Sequence, residues 1–67
     1  MDDARLVISK LMNRYGFTTG RIADQLKVSV YSVDRWRRGN VAPLPDRMMA
    51  LTQMYQRERR RREEGAA

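Results

Sequence analysis

The segment from Val30 to Arg38 carries side chains that could recognise another molecule. Arg35 offers a planar guanidinium with several N–H donors, and Tyr31 and Ser32 add hydroxyl groups. Val30 adds an apolar contact. Such a mixture of donors, hydroxyls and one apolar group is the chemistry needed to read the edges of base pairs in a DNA groove.

Two similar helix starts place these side chains. Thr18 and Ser29 can each accept a backbone N–H bond at the beginning of a helix. Each is preceded by an apolar residue and followed by another four residues later, which is the pattern of a hydrophobic staple. The sequence therefore predicts helices over about Thr19–Leu26 and 29–38, joined by a tight turn at 27–28.

Helical spacing separates the inward from the outward residues of this helix pair. The residues expected in the core are Ile22, Ala23 and Leu26 on the first helix and Val33 and Trp36 on the second. The residues left outside the core or at its margin are Val30, Tyr31, Ser32, Asp34, Arg35 and Arg38. We expect the Asp34 carboxylate to pair with Arg37 or Arg38, one turn further on.

Apolar residues at spacings of three and four also predict one helix before this pair and one after it. The first stripe is Ala4, Val7, Ile8, Leu11, Met12 and Tyr15, after a cap at Asp2 or Asp3 and before a stop at Gly16. Pro45 suits the first position of the last helix. Its expected inward stripe is Leu44, Met48, Leu51 and Tyr55. The predicted fold class is all-α, with four to five short helices.

The segment after residue 56 has no large apolar residue and is rich in arginine and glutamate. We expect a domain over 1–56 and an extension over 57–67 that is partly helical, with a Glu58–Arg62 pair, and then frayed. Such a charge run usually forms a solvated face. The alternative is an arginine arm that reaches DNA phosphates or the minor groove.

Three apolar side chains on the last helix are candidate dimer contacts. Met49 and Met54 lie off or beside the predicted inward stripe, and together with Tyr55 they could form an exposed patch. A contact with a second copy would be the natural use of that patch. The alternative is that the methionines fill gaps in the core.

Composition excludes several classes of function. The 67 residues suffice for one small core, and the formal net charge is +6, with an isoelectric point near 10.8. The chain has no cysteine and no histidine, so disulfides, thiolate metal sites and a histidine general base are excluded. We expect no enzyme activity, catalytic residue, metal or cofactor. No apolar run is long enough for a membrane span, and no signal peptide opens the chain, which predicts a cytoplasmic protein without membrane contact.

Residues 18–55 resemble the Cro and lambda-repressor-like helix–turn–helix proteins, also called the XRE family. The matching positions are Thr18, Ile22-Ala23, Leu26, Val28-Ser29, Val33, Arg35-Trp36, Arg38-Gly39 and Pro43. The continuation W-x-R-G-x-x-x-P makes the resemblance fairly specific. Lys27 stands in the turn where the family usually has glycine. That position commonly needs a positive φ, which costs a non-glycine residue about 1 kcal/mol.

The resemblance implies a lambda-repressor-like domain whose second motif helix lies in the major groove, with its amino-terminal residues toward the bases. The implied DNA contacts are Thr18, Thr19, Ser29, Val30, Tyr31, Ser32, Arg35, Arg38 and Asn40. Among these, we expect Arg35 to read a guanine. Arg38 and Asn40 would contact phosphates, as would backbone N–H groups at Thr18 and Thr19.

The implied function is sequence-specific binding of double-stranded operator DNA by a homodimeric transcriptional repressor, most like a small phage or prophage Cro protein. It would act in the cytoplasm, on the nucleoid, without a small-molecule ligand. Two alternatives stay open. One is a partner-binding module such as an antitoxin or accessory factor, and the other is a sequence-indifferent architectural nucleic-acid binder that depends on its arginines.

Overall fold

The computed structural model describes residues 3–65, which form four helices in a single bundle. These helices are α1 (Ala4–Tyr15), α2 (Thr19–Leu26), α3 (Val30–Arg38) and α4 (Pro45–Gly65). Helix α1 packs against α3 and α4, and α2 packs mainly against α3. The predicted all-α class is confirmed, with the smaller of the two expected helix numbers.

Side-chain caps fix where the first three helices begin. An oxygen of Asp3, Thr18 or Ser29 accepts a backbone N–H bond at 3.0–3.1 Å from the residue three positions later. These bonds satisfy amides that have no partner inside the helix. The predicted bounds of the two central helices and their caps are confirmed. The other candidate cap, Asp2, lies outside the described residues.

The same three helices end in a left-handed residue. The φ angles are 73° at Gly16, 58° at Lys27 and 79° at Gly39, and each of these residues donates its N–H to the preceding helix. Lys27 is the one non-glycine residue with a positive φ in the described part of the chain. The strained conformation expected at Lys27 is therefore present.

One apolar cluster joins all four helices. Its buried members are Ala4, Val7, Ile8, Leu11, Phe17, Ile22, Ala23, Leu26, Val33, Trp36, Leu51, Met54 and Tyr55. The predicted core of the helix pair is confirmed, including Trp36, which is 7% exposed. This core packs α2 against α3 and leaves the opposite side of α3 at the surface.

The predicted inward stripe of α4 is wrong at its first residue. Leu44 is 71% exposed, whereas Met54, which was expected off the stripe, is 6% exposed. Leu44 precedes the helix, so its side chain does not follow the helical register. The core face instead runs through Leu51, Met54 and Tyr55, at spacings of three and four.

Burial of two residues also corrects the expected dimer patch. Met54 and Tyr55 are core residues, and the Tyr55 ring lies 5.9 Å from that of Tyr15 on α1. Met49 is 63% exposed, since it lies on the opposite face of α4. The three side chains therefore do not form one exposed patch.

Helix α4 crosses the expected domain boundary at 56–57 without a break. Glu58 is only 7% exposed, and it accepts hydrogen bonds from Arg61 at 2.8 Å and Arg62 at 2.9 Å. Arg62 also donates to the backbone carbonyl of Tyr15. The expected Glu58–Arg62 pair is confirmed, but this part of the extension packs on α1. The end expected to fray is Gly65–Ala67. Gly65 is the last residue of α4, and Ala66 and Ala67 lie outside the described residues.

Candidate nucleic-acid interface

The amino-terminal turn of α3 presents bulky side chains to solvent. Val30 is 50% exposed and Tyr31 is 69% exposed, whereas Val33 and Trp36 on the same helix are buried. The outward positions assigned to Val30 and Tyr31 from the sequence are therefore correct. An apolar and an aromatic group at the exposed start of a short helix can enter a groove without any rearrangement of the core.

The two serines of this region are occupied with capping. Ser29 Oγ accepts the Ser32 backbone N–H at 3.1 Å, and the two hydroxyl oxygens lie 3.0 Å apart. Ser29 is exposed and Ser32 is partly buried. A hydroxyl retains both donor and acceptor capacity, so Ser29 can contact a ligand while it caps α3.

Arg35 lies one turn after Tyr31 on the outer face of α3. Its guanidinium carbon is 5.5 Å from the centre of the Tyr31 ring, at a cation–π distance. Arg35 forms no ion pair with the side chains described between residues 3 and 63. Its planar fork of N–H donors is therefore held near the aromatic ring and remains available for a bidentate acceptor.

The carboxylate of Asp34 is neutralised by its neighbours. Arg37 donates to it at 2.7 Å and Arg38 lies 2.9 Å away, so the expected pairing occurs with both arginines. The hydrogen bond from Arg37, together with the charge of Arg38, lowers the pKa of Asp34. Arg38 keeps 61% of its side chain exposed. The α3 surface is thus basic despite its one acidic residue.

The amino end of α2 carries two further predicted contacts, Thr18 and Thr19. Thr18 is exposed and accepts the Arg21 N–H at 3.0 Å, and Thr19 is partly buried as the first residue of the helix. The Arg21 guanidinium lies 4.1 Å from the centre of the Phe17 ring. Sequence reasoning overlooked Arg21. Its place in the first turn of α2, beside a predicted phosphate contact, was the available signal.

The α3–α4 loop carries one more predicted contact. Asn40 has an exposed side chain, and its backbone N–H bonds to the Arg35 carbonyl at 3.0 Å. The Arg5 side chain covers Gly39, where an added Cβ would lie 3.4 Å from the Arg5 Cδ. Arg5 was also overlooked, because the sequence offers no sign that α1 reaches this loop. It adds a positive charge beside Asn40.

The surface defined by these parts is called the α3 face below. It consists of Thr18, Thr19, Ser29, Val30, Tyr31, Ser32, Arg35, Arg38 and Asn40, with Arg5 and Arg21 at its edges. Among the described residues, no group of three or more acidic, histidine or cysteine side chains could hold a metal ion. None of the described helices is long and apolar enough to cross a membrane.

Comparison of the chain with protein-family models, with curated proteins and with solved structures finds no match. The assignment of function therefore depends on the chemistry and geometry of this chain, together with the resemblance in its motif residues.

Proposed function

We propose that this protein is a sequence-specific, double-stranded-DNA-binding transcriptional regulator of the Cro or XRE kind. It acts as a repressor on the nucleoid by placing α3 in the major groove. The observation that carries the proposal is the α3 face itself. Val30 and Tyr31 are exposed, and Arg35 lies partly buried beside the Tyr31 ring, on a helix whose opposite side is buried in the core.

The charge of the molecule supports a polyanionic partner. The formal net charge is +6, and all basic residues except Lys10 and Lys27 are arginines. Arginine suits bidentate contacts with phosphate and with the guanine edge. Sequence-independent attraction to the phosphate backbone supplies much of the affinity of such proteins, and base contacts supply the selectivity.

Each part of the α3 face has a proposed role. Arg35 donates to the O6 and N7 atoms of a guanine, Val30 meets a thymine methyl, and Tyr31 packs beside Arg35 against a base or phosphate. The backbone at Thr18 and Thr19 holds one phosphate at the amino end of α2. Arg38 and Asn40 hold another from the far end of α3.

A homodimer follows from the small size of this face. One recognition helix contacts few base pairs, so two copies on half-sites about 34 Å apart would supply the needed selectivity. The exposed Leu44 and Met49 side chains are the proposed apolar contacts between copies, in place of Met54 and Tyr55. Binding over a promoter would then exclude RNA polymerase sterically.

Selection of bound sequences from random duplex DNA, near physiological salt, tests the proposal. We expect a palindromic consensus with half-site centres about ten base pairs apart. A result without enrichment, with binding that weakens steeply as salt rises, would favour the architectural alternative. Weak binding to every duplex would favour the partner-binding module.

Substitutions on α3 separate base readout from phosphate contact. Arg35→Ala should cost roughly 1–3 kcal/mol on the selected site and relax selectivity at one base position. The control, Arg38→Ala, removes the same charge and should weaken binding to selected and random duplexes alike, with a smaller salt dependence. Equal losses for Arg35→Ala on both duplexes would assign Arg35 to a phosphate.

A further inference from the structure

The outer face of α4 carries polar side chains that the proposed function does not use. Gln53, Gln56, Arg57 and Arg60 recur at helical spacings of three and four, so they share one side of the helix. All four are exposed, and together they line a shallow hollow of about 240 Å³. These four residues are called the Gln/Arg stripe.

The two arginines of the stripe differ from their neighbours in ion pairing. Glu58 and Glu63 hold neighbouring arginines of α4 at 2.8–3.0 Å. Arg57 and Arg60, in contrast, form no ion pair with the side chains described between residues 3 and 63, although Glu63 lies beside Arg60. Each arginine offers five N–H donors and each glutamine offers two. The stripe is therefore a row of donors that includes two arginines without an ion-pair partner among those side chains.

The Gln/Arg stripe and the α3 face belong to two different helices. Helices α3 and α4 both pack on α1, but they do not pack extensively on each other. On α4 the stripe lies opposite the buried residues Leu51, Met54 and Tyr55 by helical spacing, so it faces solvent and is not part of the α3 face.

Duplex DNA fits the stripe better than a protein partner does. The four stripe residues are polar, and the exposed Met49, which the proposed contact between copies uses, lies one turn before Gln53 on the same face. The centres of protein interfaces are enriched in aromatic residues and methionine, so a protein contact is expected at Met49 and not along the stripe itself. Nucleic-acid interfaces are polar and strongly positive. From Gln53 to Arg60 the helix rises about 10 Å, which matches about three phosphates along one strand.

We infer that the Gln/Arg stripe is a second site for the DNA phosphate backbone, through which the protein bridges two duplex segments. The α3 face occupies one segment, and the stripe binds the other without regard to sequence. The bridging role rests on the proposed function, because that function supplies the duplex segment bound by the α3 face. The stripe contacts the second segment through Arg57 and Arg60 as charged anchors, with Gln53 and Gln56 as additional donors.

A retention assay with two duplexes tests the inference. One duplex carries the selected operator and is fixed to beads, and a fluorescent duplex of random sequence is free in solution. Retention of the fluorescent duplex is measured with wild-type protein over a range of salt concentrations. The test variant is Arg57→Ala with Arg60→Ala. The matched control is Arg59→Ala with Arg61→Ala, which removes two arginines that are ion-paired on the same helix.

The wild type and the control should retain the second duplex. The stripe variant should lose at least about tenfold in retention, and its log–log salt slope should fall by about two. Operator binding in solution should change by less than about threefold in both variants, with unchanged helical circular dichroism. The same assay also measures whether the protein prefers the operator duplex to random competitor DNA. This preference tests the proposed function, whereas retention of the fluorescent duplex tests bridging.

Four outcomes would overturn the inference. The first is that the wild type does not retain the second duplex. The second is that the stripe variant retains it as well as the wild type does. The third is that both double variants lose it equally, which is what a pure charge effect would produce. The fourth is displacement of the second duplex by polyglutamate as effectively as by unlabelled duplex, which would assign the stripe to an acidic protein. If retention of the second duplex depends on the stripe but the protein shows no preference for the operator, the proposed function is wrong and the stripe is still a DNA-binding site.

Discussion

The turn residue Lys27 shows how one side chain can set the stability of a small motif. Its φ of 58° lies in the left-handed region, where a Cβ is disfavoured. The turn itself is well bonded, since the Lys27 N–H reaches the Asp24 carbonyl and the Val28 N–H reaches that of Ala23. The strain is therefore local, and the rest of the helix pair holds the residue in place.

Replacing Lys27 with glycine should stabilise the fold. Lys27→Gly relieves the positive-φ strain at some cost in unfolded-state entropy, for a net gain of roughly 0.5–1 kcal/mol. Thermal unfolding followed by circular dichroism would show a rise in Tm of about 2–8 °C for a domain of this size. Lys27→Ala is the control, because it removes the same charge but keeps the Cβ. Equal stabilisation by both variants would attribute the effect to charge and not to strain.

If the α3 face binds DNA as proposed, Asp34 should limit its affinity. Its carboxylate engages Arg37 and Arg38, and it adds a negative charge close to the expected phosphates. Asp34→Asn should therefore raise affinity for random duplex by roughly threefold at low salt. Asp24→Asn makes the same change in net charge on α2 and serves as the control. Fluorescence anisotropy titrations that show no gain for Asp34→Asn, or an equal gain for both, would refute the local effect.

At the scale of helices, the sequence predicts most of what positions the α3 face. The caps at Thr18 and Ser29 are local signals, and they set the bounds of α2 and α3 correctly. The register of α4 is less accessible from sequence. Leu44 lies just before Pro45, where helical periodicity no longer applies, and the expected stripe began one position outside the helix.

The packing of the end of α4 against α1 also could not be predicted from local sequence patterns. Glu58 is buried because Arg61 and Arg62 neutralise it and because Arg62 reaches the carbonyl end of α1 at Tyr15. That contact joins residues 47 positions apart, so no local pattern reports it. The placement of Arg5 over Gly39 was missed for the same reason. Tertiary contacts, and not propensity, decide both cases.

The corrected register of α4 predicts a large loss of stability on substitution of Met54 and almost none on substitution of Leu44. Met54→Ala empties part of the core and should cost about 2–4 kcal/mol in the free energy of unfolding. Leu44→Ala, at a position 71% exposed, should change it by less than about 0.5 kcal/mol. Urea unfolding followed by circular dichroism measures both. A larger cost at Leu44 than at Met54 would restore the stripe expected from sequence and contradict the packing described above.

At the scale of the whole molecule, the arrangement of charge bears on stability and on the proposed binding of DNA. The positive charges concentrate on the α3 face and along the second half of α4, and the paired acids Asp34, Glu58 and Glu63 lie between arginines. This arrangement keeps like charges from destabilising the small core while it leaves Arg35, Arg57 and Arg60 available to a polyanion. The chain has no histidine, so no side chain with an ordinary pKa near neutrality couples the fold to pH.

Stability should consequently be flat from about pH 5 to 8 and should fall in acid. The hydrogen bond from Arg61, followed by that from Arg62, lowers the pKa of Glu58 below its ordinary value. A carboxyl with a lowered folded-state pKa stabilises the fold above its unfolded pKa, and that contribution is lost as pH falls through the folded value. The hydrogen bond from Arg37 acts in the same direction on the pKa of Asp34.

Glu58→Gln should remove part of this acid dependence. At pH 7 the variant should be less stable by about 1 kcal/mol, because a buried amide cannot replace a carboxylate that accepts two charged hydrogen bonds. Between about pH 4.5 and 2 its stability should decline less steeply than that of the wild type, so the two curves converge. Glu63→Gln alters an exposed pair with Arg59 and should follow the wild-type curve at both ends. Parallel curves for Glu58→Gln and wild type would mean that Glu58 does not contribute to the acid dependence of stability.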